Sequence, residues 1–154
     1  MITRVLAWLP ALAWACLIWG FGSDGFSEPA TSRILDPLLA WLLPGLSDET
    51  RALWVWSIRR LAHPIEYGVL GVLCLHGVRL SWPGAAGREA RRALVPVLAI
   101  ALADETRQAL SSIRTGSLLD AFFDVAGAAL ALAALVWIER RLGVRLAGRR
   151  RARD

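Results

Sequence analysis

The chain lacks lysine, has only two cysteines, and contains no CxxC motif or other metal-ligand spacing. Its 18 basic residues are all arginines, a bias that indicates a GC-rich genome more than a particular chemistry. Cys16 and Cys74 both lie in apolar runs, where buried free thiols are the expected state. Nothing in this pattern indicates a disulfide framework, and the sequence predicts neither a cofactor nor a metal ion.

Apolar residues dominate the chain to a degree that excludes an ordinary soluble domain. They make up 56% of its 154 residues, and the mean hydropathy is +0.47. The formal net charge is +5. Because the arginines flank the apolar runs and form no separate basic domain, nucleic acid is not a predicted partner. The predicted partner is the lipid bilayer.

The apolar runs predict an all-α membrane protein, a four-helix transmembrane bundle in a single domain over residues 1–154. The predicted spans are 4–22, 61–79, 93–110 and 118–138, with an outer segment at 23–60 and a basic tail at 139–154. Pro10 is a candidate kink in the first span. A cleaved signal peptide is the alternative for this segment, but no small-residue cleavage site follows the run cleanly.

The outer segment between the first two predicted spans contains helical patterns of its own. Residues 34–46 are apolar but few, and Pro37 and Pro44 interrupt them, which favours an interfacial or re-entrant helical segment. Ser47, followed by two acidic residues, predicts a helix start. We expect that helix to run as far as Arg60.

Basic residues predict which side of the membrane each connection occupies. The sequence predicts a short loop at 79–92, in which four arginines are opposed only by Glu89, and the tail at 139–154 is strongly basic. Under the positive-inside rule both face the cytoplasm. An even number of spans then places both termini on the cytoplasmic side of the membrane. The segment 23–60 and the turn at 104–117 face outward.

Carboxylates recur at one depth of the predicted bundle. The last two apolar runs are each too short to cross a bilayer, which takes about 20 residues, so both spans must extend into the acidic stretch 104–124. At about 1.5 Å per residue, Glu66, Glu105 and Asp124 all lie roughly 20 Å from the inner ends of their helices. Charges at that depth are costly and by default mark a functional site. We therefore expect a polar cavity open to the outside.

Helical spacing assigns the polar residues to shared faces, such as His63, Glu66 and Tyr67 on the second span. Arginines lie at the outer mouth, where their planar groups suit a carboxylate or phosphate. Two patterns also have plainer interpretations, because Ser117 fits a helix N-cap and Asp104 fits an intrahelical pair with the arginine three residues on. The predicted ligand-binding residues are Ser23, Arg59, Arg60, His63, Glu66, Tyr67, Asp104, Glu105, Gln108, Arg114, Ser117, Asp120 and Asp124.

In chain order, these residues resemble the VanZ-like family of small bacterial membrane proteins. The matching pieces are Ser23, Arg59-Arg60, His63, Glu66-Tyr67, Asp104-Glu105 with Gln108, Arg114, Ser117, Asp120, Asp124 and Gly127. The resemblance covers nearly the whole chain, and such sequences carry Asn or Asp at the position of Asp124. It implies a multi-pass membrane protein with a link to low-level resistance to teicoplanin, a glycopeptide antibiotic. It supplies no established reaction.

Three functions fit this pattern of residues. The first is binding or processing of an anionic lipid-linked envelope precursor, or of a glycopeptide, at a polar cavity in the outer leaflet. The second is a structural membrane module whose polar cluster only fixes helix packing. The third is an acid–base enzyme with Glu66 or Glu105 as general base and His63 as partner. Binding is favoured, because packing alone does not explain carboxylates at one depth on three helices.

Overall fold

In a computed structural model that describes residues 2–112 and 116–143, every regular element is helical. The α-helices are α1 (Ile2–Leu6), α2 (Leu9–Phe21), α3 (Glu28–Leu42), α4 (Asp48–Ser81), α5 (Ala86–Ala109) and α6 (Leu118–Leu142), with a 3-10 turn at Asp24–Phe26 before α3. The all-α prediction is therefore confirmed for this part of the chain.

Three described segments are long and apolar enough to cross a membrane: Ile2–Phe21, α4 and α6. Large apolar side chains on these segments face outward, for example Leu12 at 58% and Leu130 at 72% exposure. Water would disfavour this surface, whereas lipid solvates it, so the exposure is typical of membrane helices. α5 covers the predicted span 93–110 up to Ala109 but is not among the three segments, and charged residues occupy both of its ends.

The N-terminal helical segment is interrupted just before Pro10. α1 ends at Leu6 and α2 begins at Leu9, so the proline, which has no N–H donor, stands in the first turn of a new helix. The kink expected at Pro10 is thus present as a break between two helices. Cys74 is buried but Cys16 is exposed, which corrects the expectation of two buried thiols, because this face of α2 points away from the bundle.

Two tryptophans attach the N-terminal segment to α4. The Nε1 group of Trp8 donates to Ser81 Oγ at 3.0 Å, and its ring lies against Gly77, where an added Cβ would approach within 2.7 Å. The Nε1 group of Trp14 donates to the backbone oxygen of Glu66 at 2.9 Å. Both indoles therefore place their apolar rings at the helix interface while satisfying their polar atoms.

α3 and the N-terminal part of α4 form an antiparallel helical hairpin. The guanidinium of Arg51 on α4 donates to Asp36 on α3 at 2.9 Å. Further along α4, the guanidinium of Arg59 contacts Thr31, nearer the start of α3. Because residue numbers rise along α4 while those of their partners fall along α3, the two helices run in opposite directions.

The boundaries of α3 and α4 differ from those predicted. The apolar stretch at 34–46 is mostly the second half of α3, which begins earlier, at Glu28, because Pro29 fits the first turn of a helix. The helix predicted to start at Ser47 continues through the predicted span 61–79 as the single helix α4. At about 1.5 Å per residue, α4 is about 51 Å long, which exceeds the hydrocarbon core of about 30 Å.

α4 and α6 run parallel and share the most extensive helix–helix contact. Gly127 lies against Pro64, where an added Cβ would come within 2.3 Å of the proline oxygen, and Gly71 lies against Ala128. Such close backbone approach requires small residues, as is common between membrane helices. Gly127, Gly71 and Ala128 therefore permit the close packing of α4 on α6.

A buried ion-pair cluster joins α4, α5 and α6 at their predicted cytoplasmic ends. Arg79 donates to both carboxylate oxygens of Glu139, at 2.7 and 2.6 Å, and to Glu89 at 3.2 Å. We call these three residues the inner cluster; none is more than 5% exposed. The prediction of a loop of solvent-facing charges at 79–92 is therefore corrected, because α4 continues past Arg79 and α5 begins before Glu89.

Candidate functional site

Three helices bring one imidazole and two carboxylates together near the opposite end of the bundle. His63 belongs to α4, Glu105 to α5 and Asp124 to α6, and their nearest ligand atoms all lie within 4.8 Å of one another. Nδ1 of His63 is 3.6 Å from Oδ1 of Asp124. We call these residues the outer cluster, after the predicted orientation. Their convergence agrees with the common depth expected for the carboxylates.

Two buried polar groups at the outer cluster lack hydrogen-bond partners among the described residues. Asp124 is 1% exposed, and neither of its carboxylate oxygens is hydrogen-bonded. Tyr67, one helical turn from His63, is 0% exposed, and its hydroxyl is equally unpaired. Buried polar groups are nearly always satisfied in native proteins, so unpaired ones indicate a place for a ligand, an ion or water.

A separate polar group connects α5 to the end of α2. Asp104, at 1% exposure, accepts hydrogen bonds from Arg107 and Gln108, both at 2.8 Å. Arg107 also donates to the backbone oxygen of Trp19 at 3.1 Å, and Gly22 packs against the Asp104–Arg107 pair. Asp104 is therefore satisfied within the fold, and these contacts fit the structural interpretation of the pair.

The turn between α5 and α6 orients one ligand atom of the outer cluster. The backbone N–H of Ser117 donates to Glu105 Oε2 at 2.8 Å, and Ser117 Oγ accepts from the N–H of Asp120 at 3.1 Å. Gly116 packs so closely on α5 that an added Cβ would lie 2.1 Å from the backbone oxygen of Glu105. Ser117 thus caps α6, as its spacing predicts, and also holds the Glu105 carboxylate in place.

The described residues assemble only part of the predicted arginine mouth. Arg59 points to the α3 side, where it donates to the backbone oxygen of Ser27 at 3.2 Å and contacts Thr31. Arg60 pairs with Asp120 at 3.0 Å, one helical turn outward from the outer cluster. Arg59 therefore stabilises the hairpin, and Arg60 is the arginine nearest to a ligand position. Arg114 lies outside the described residues.

Two further predicted residues occupy the edge of the site. Glu66 is half-buried on α4, and its carboxylate is within electrostatic range of His63 and Asp124. Ser23 is half-buried in the turn after α2, where its backbone oxygen accepts from the N–H of Phe26 at 3.0 Å. Glu66 is thus placed to contact a molecule bound at the outer cluster. The hydrogen bond of Ser23 belongs to the turn.

An apolar groove of about 470 Å³ lies between α4 and α6 beside the outer cluster. At the end of the groove nearest the outer cluster, Pro64 follows His63 in sequence and Gly127 lies about one helical turn after Asp124. The groove therefore begins where the polar groups end. Sequence patterns do not predict it, because it depends on glycine positions on two separate helices. Its lining residues are Pro64, Ile65, Gly68, Val69, Val72, Leu73, Gly127 and Ala131.

The arrangement offers two kinds of chemistry. The unpaired oxygens of Asp124 accept hydrogen bonds from a hydroxyl or amine, and the outer cluster as a whole presents nitrogen and oxygen donors to a cation. From the sequence, His63 with nearby acids is a conceivable metal site, but a single imidazole is thin support, so the sequence predicts no metal ion.

In comparisons with known proteins, no family model, curated protein or solved structure matches the chain. The resemblance to the VanZ-like family therefore stays a prediction that depends on the ordered residues alone. The fold and site define a class, a helical protein with three segments able to cross a membrane and a buried polar cluster between α4, α5 and α6.

Proposed function

We propose that the chain is a four-span protein of the bacterial cytoplasmic membrane that binds an anionic, lipid-linked envelope precursor. Both termini lie in the cytoplasm, and α5 is the third span in chain order, between α4 and α6. The polar head of the precursor occupies the outer cluster, and its hydrocarbon chain occupies the groove between α4 and α6. A role in low-level teicoplanin resistance, which the resemblance implies, is consistent with precursor binding.

The unpaired state of Asp124 is the observation that carries this proposal. A cluster that served only to lock helices together would hydrogen-bond its buried oxygens, since an unsatisfied buried polar group costs about 1–3 kcal/mol of stability. Asp104 shows that the fold pairs a carboxylate where packing requires it. Asp124 and the Tyr67 hydroxyl are instead suited to an acceptor–donor pair for the hydroxyls, amines or phosphate of a head group.

The position of the groove supports an amphiphile over a water-soluble ligand. Along the contact between α4 and α6, Arg60 comes first, the outer cluster follows one turn inward, and the groove begins at Pro64 and Gly127. A chain seated in the groove places its attached phosphate close to the outer cluster and within about one helical turn of Arg60. Arginine is well suited to phosphate, because its planar group donates two parallel hydrogen bonds.

Binding of undecaprenyl phosphate that carries a linked sugar, whose hydroxyl and amide groups can donate to the carboxylates, to the full-length protein in lipid nanodiscs tests the proposal. Asp124→Asn removes a charged partner from the head-group site, and Val72→Trp fills the groove from an exposed position. Each should weaken binding by about 10- to 100-fold, as expected for 1.5–3 kcal/mol of lost interaction. Native mass spectrometry of the loaded nanodiscs gives the bound fraction.

Matched substitutions elsewhere distinguish specific binding from partition into lipid. Asp36→Asn changes a carboxylate in the hairpin, and Leu130→Trp adds the same bulk to an exposed position outside the groove. Both should bind as the wild type does. Equal binding by the wild type and Asp124→Asn would overturn the head-group site, and equal binding by Val72→Trp would overturn the placement of the chain.

A further inference from the structure

The outer cluster has the donor set of a divalent metal site. One imidazole nitrogen and two carboxylate oxygens, from His63, Glu105 and Asp124, lie within 4.8 Å of one another. This mixture of nitrogen and oxygen suits first-row cations such as Zn²⁺ and Mn²⁺. Three protein ligands also leave a coordination position open for water or an oxygen of a ligand. We propose that these three side chains bind one divalent cation.

The spacing of the donors fits an ion with little rearrangement. Two atoms each about 2.05 Å from a tetrahedral ion are separated by about 3.3 Å. Nδ1 of His63 lies 3.6 Å from Oδ1 of Asp124, which is too long for a hydrogen bond but close to that separation. A carboxylate oxygen of Glu105 lies within 4.8 Å of a ligand atom of each of these residues, so the third ligand is already close to its position. The His63 side chain is 38% exposed, so the site has a route to solvent.

The burial of Asp124 independently indicates a missing partner for its oxygens, since the nearby Nδ1 of His63, at 3.6 Å, lies beyond hydrogen-bond distance. Its carboxylate is 1% exposed, with no hydrogen bond to either oxygen from the described part of the chain. A divalent cation satisfies both oxygens and balances the two carboxylates of the cluster, whose burial without compensation would be strongly unfavourable.

The backbone around Glu105 supports this carboxylate in the way that metal ligands are commonly supported. The N–H of Ser117 donates to Glu105 Oε2 at 2.8 Å, which fixes the carboxylate plane. Ligating carboxylates in metal sites are usually hydrogen-bonded in this way by residues that do not touch the metal. Gly116 permits the close approach of this turn to α5.

A cation here explains how an anionic head group is held beside carboxylates. The open coordination position accepts a phosphate oxygen, so the site attracts the anion that Glu105 and Asp124 alone would repel. This role rests on the proposed function. Binding of the ion itself does not, since it follows from the geometry of the three side chains.

Metal binding by the purified protein, without any lipid precursor, tests the inference. The full-length chain is isolated through an affinity tag that lacks histidine, stripped with a chelator and titrated with Zn²⁺ or Mn²⁺ in a calorimeter. We expect one ion per chain. His63→Gln and Asp124→Asn should each weaken affinity by more than about 100-fold, because even changes outside the ligand set typically cost 10- to 100-fold.

Two controls match the chemistry of the altered ligands. His76→Gln removes the other histidine, and Glu49→Gln removes an exposed carboxylate. Both should bind the ion as the wild type does. A wild type that binds no more tightly than His63→Gln would overturn the inference, as would equal losses in the controls.

A spectroscopic readout on the wild type avoids any dependence on variants. Co²⁺ added to the stripped protein should show the absorption of a four- or five-coordinate site with nitrogen and oxygen ligands. A spectrum identical to that of hydrated Co²⁺ would overturn the inference. Metal binding without binding of the sugar-linked undecaprenyl phosphate would overturn only the proposed function, and the reverse result would overturn only the metal site.

Discussion

At the scale of single residues, the two buried clusters treat their carboxylates differently. In the inner cluster, Glu139 accepts two parallel hydrogen bonds from Arg79, at 2.7 and 2.6 Å. In the outer cluster, Asp124 is equally buried, but its oxygens have no hydrogen bond from the described residues. A paired carboxylate fixes helices, whereas an unpaired one is available to a ligand. We therefore assign packing to the inner cluster and binding to the outer one.

The substitutions Glu66→Gln and Glu105→Gln separate charge from shape at the outer cluster. In Glu105→Gln the amide oxygen still accepts from the N–H of Ser117, so the turn should remain intact. We expect both variants to accumulate in the membrane at wild-type levels, measured by immunoblot, and to bind the sugar-linked undecaprenyl phosphate at least about tenfold less well. Failure to accumulate would instead favour the structural module.

Arg79→Met should destabilise the protein severely. The substitution keeps an unbranched apolar side chain but leaves Glu89 and Glu139 buried without the guanidinium that bridges them. Breaking a buried ion pair in this way costs about 3–5 kcal/mol. Thermal unfolding in detergent measures the loss, with the exposed Arg88→Met as control. Equal melting temperatures for the two variants would show that the inner cluster contributes little.

At the scale of helices, a capping serine predicts where a helix starts, whereas composition does not predict whether a helix continues. Ser47 caps α4 by accepting from the N–H of Thr50 at 3.3 Å, as its spacing with two acids indicates. The predicted boundary near residue 60 does not exist, because a change from polar to apolar composition does not break a helix. Pro64 is tolerated within α4. Continuity depends on contacts with α3 and α6, which local patterns do not contain.

Gly127→Val should separate α4 from α6 and remove the site with them. A Cβ at this position would lie 2.3 Å from the Pro64 oxygen and 2.6 Å from its Cα, both backbone atoms that cannot rotate away. We expect a loss of about 1–3 kcal/mol in stability, typical of overpacking. Gly20→Val is the control, because among the described residues no atom beyond its own stretch of helix lies within 4 Å of the added Cβ. Equal unfolding of the two variants would contradict the close contact.

At the scale of the whole molecule, the sequence predicts the level of the carboxylates along the helices but not which side chains they contact. Counting helical rise places Glu66, Glu105 and Asp124 at one level, and the fold brings two of these into one cluster with His63. The count does not give the rotation of each helix about its axis. That rotation decides which side chains meet in the outer cluster, and it also creates the groove, which requires two helices in register.

Reporter fusions test the proposed orientation of the bundle. Fusions after Arg88 and after Arg149 should read cytoplasmic, because the basic residues near both points favour the inner side. A fusion after Ser112 should read external, because the proposed orientation turns the end of α5 near the outer cluster outward. A cytoplasmic signal at Ser112 would reverse the orientation and place the outer cluster on the wrong side for an envelope ligand.

The central claim is that Asp124 is kept buried for a ligand and not for packing. Thermal unfolding of Asp124→Asn and Asp104→Asn, in nanodiscs with a chelator and no precursor, tests it most directly. Asp104→Asn should lower stability by about 1.5–3 kcal/mol, because it weakens two charge-assisted hydrogen bonds. Asp124→Asn should melt at or above the wild-type temperature, because it removes a buried charge that has no hydrogen bond from the described residues. A loss in Asp124→Asn as large as that in Asp104→Asn would contradict the account.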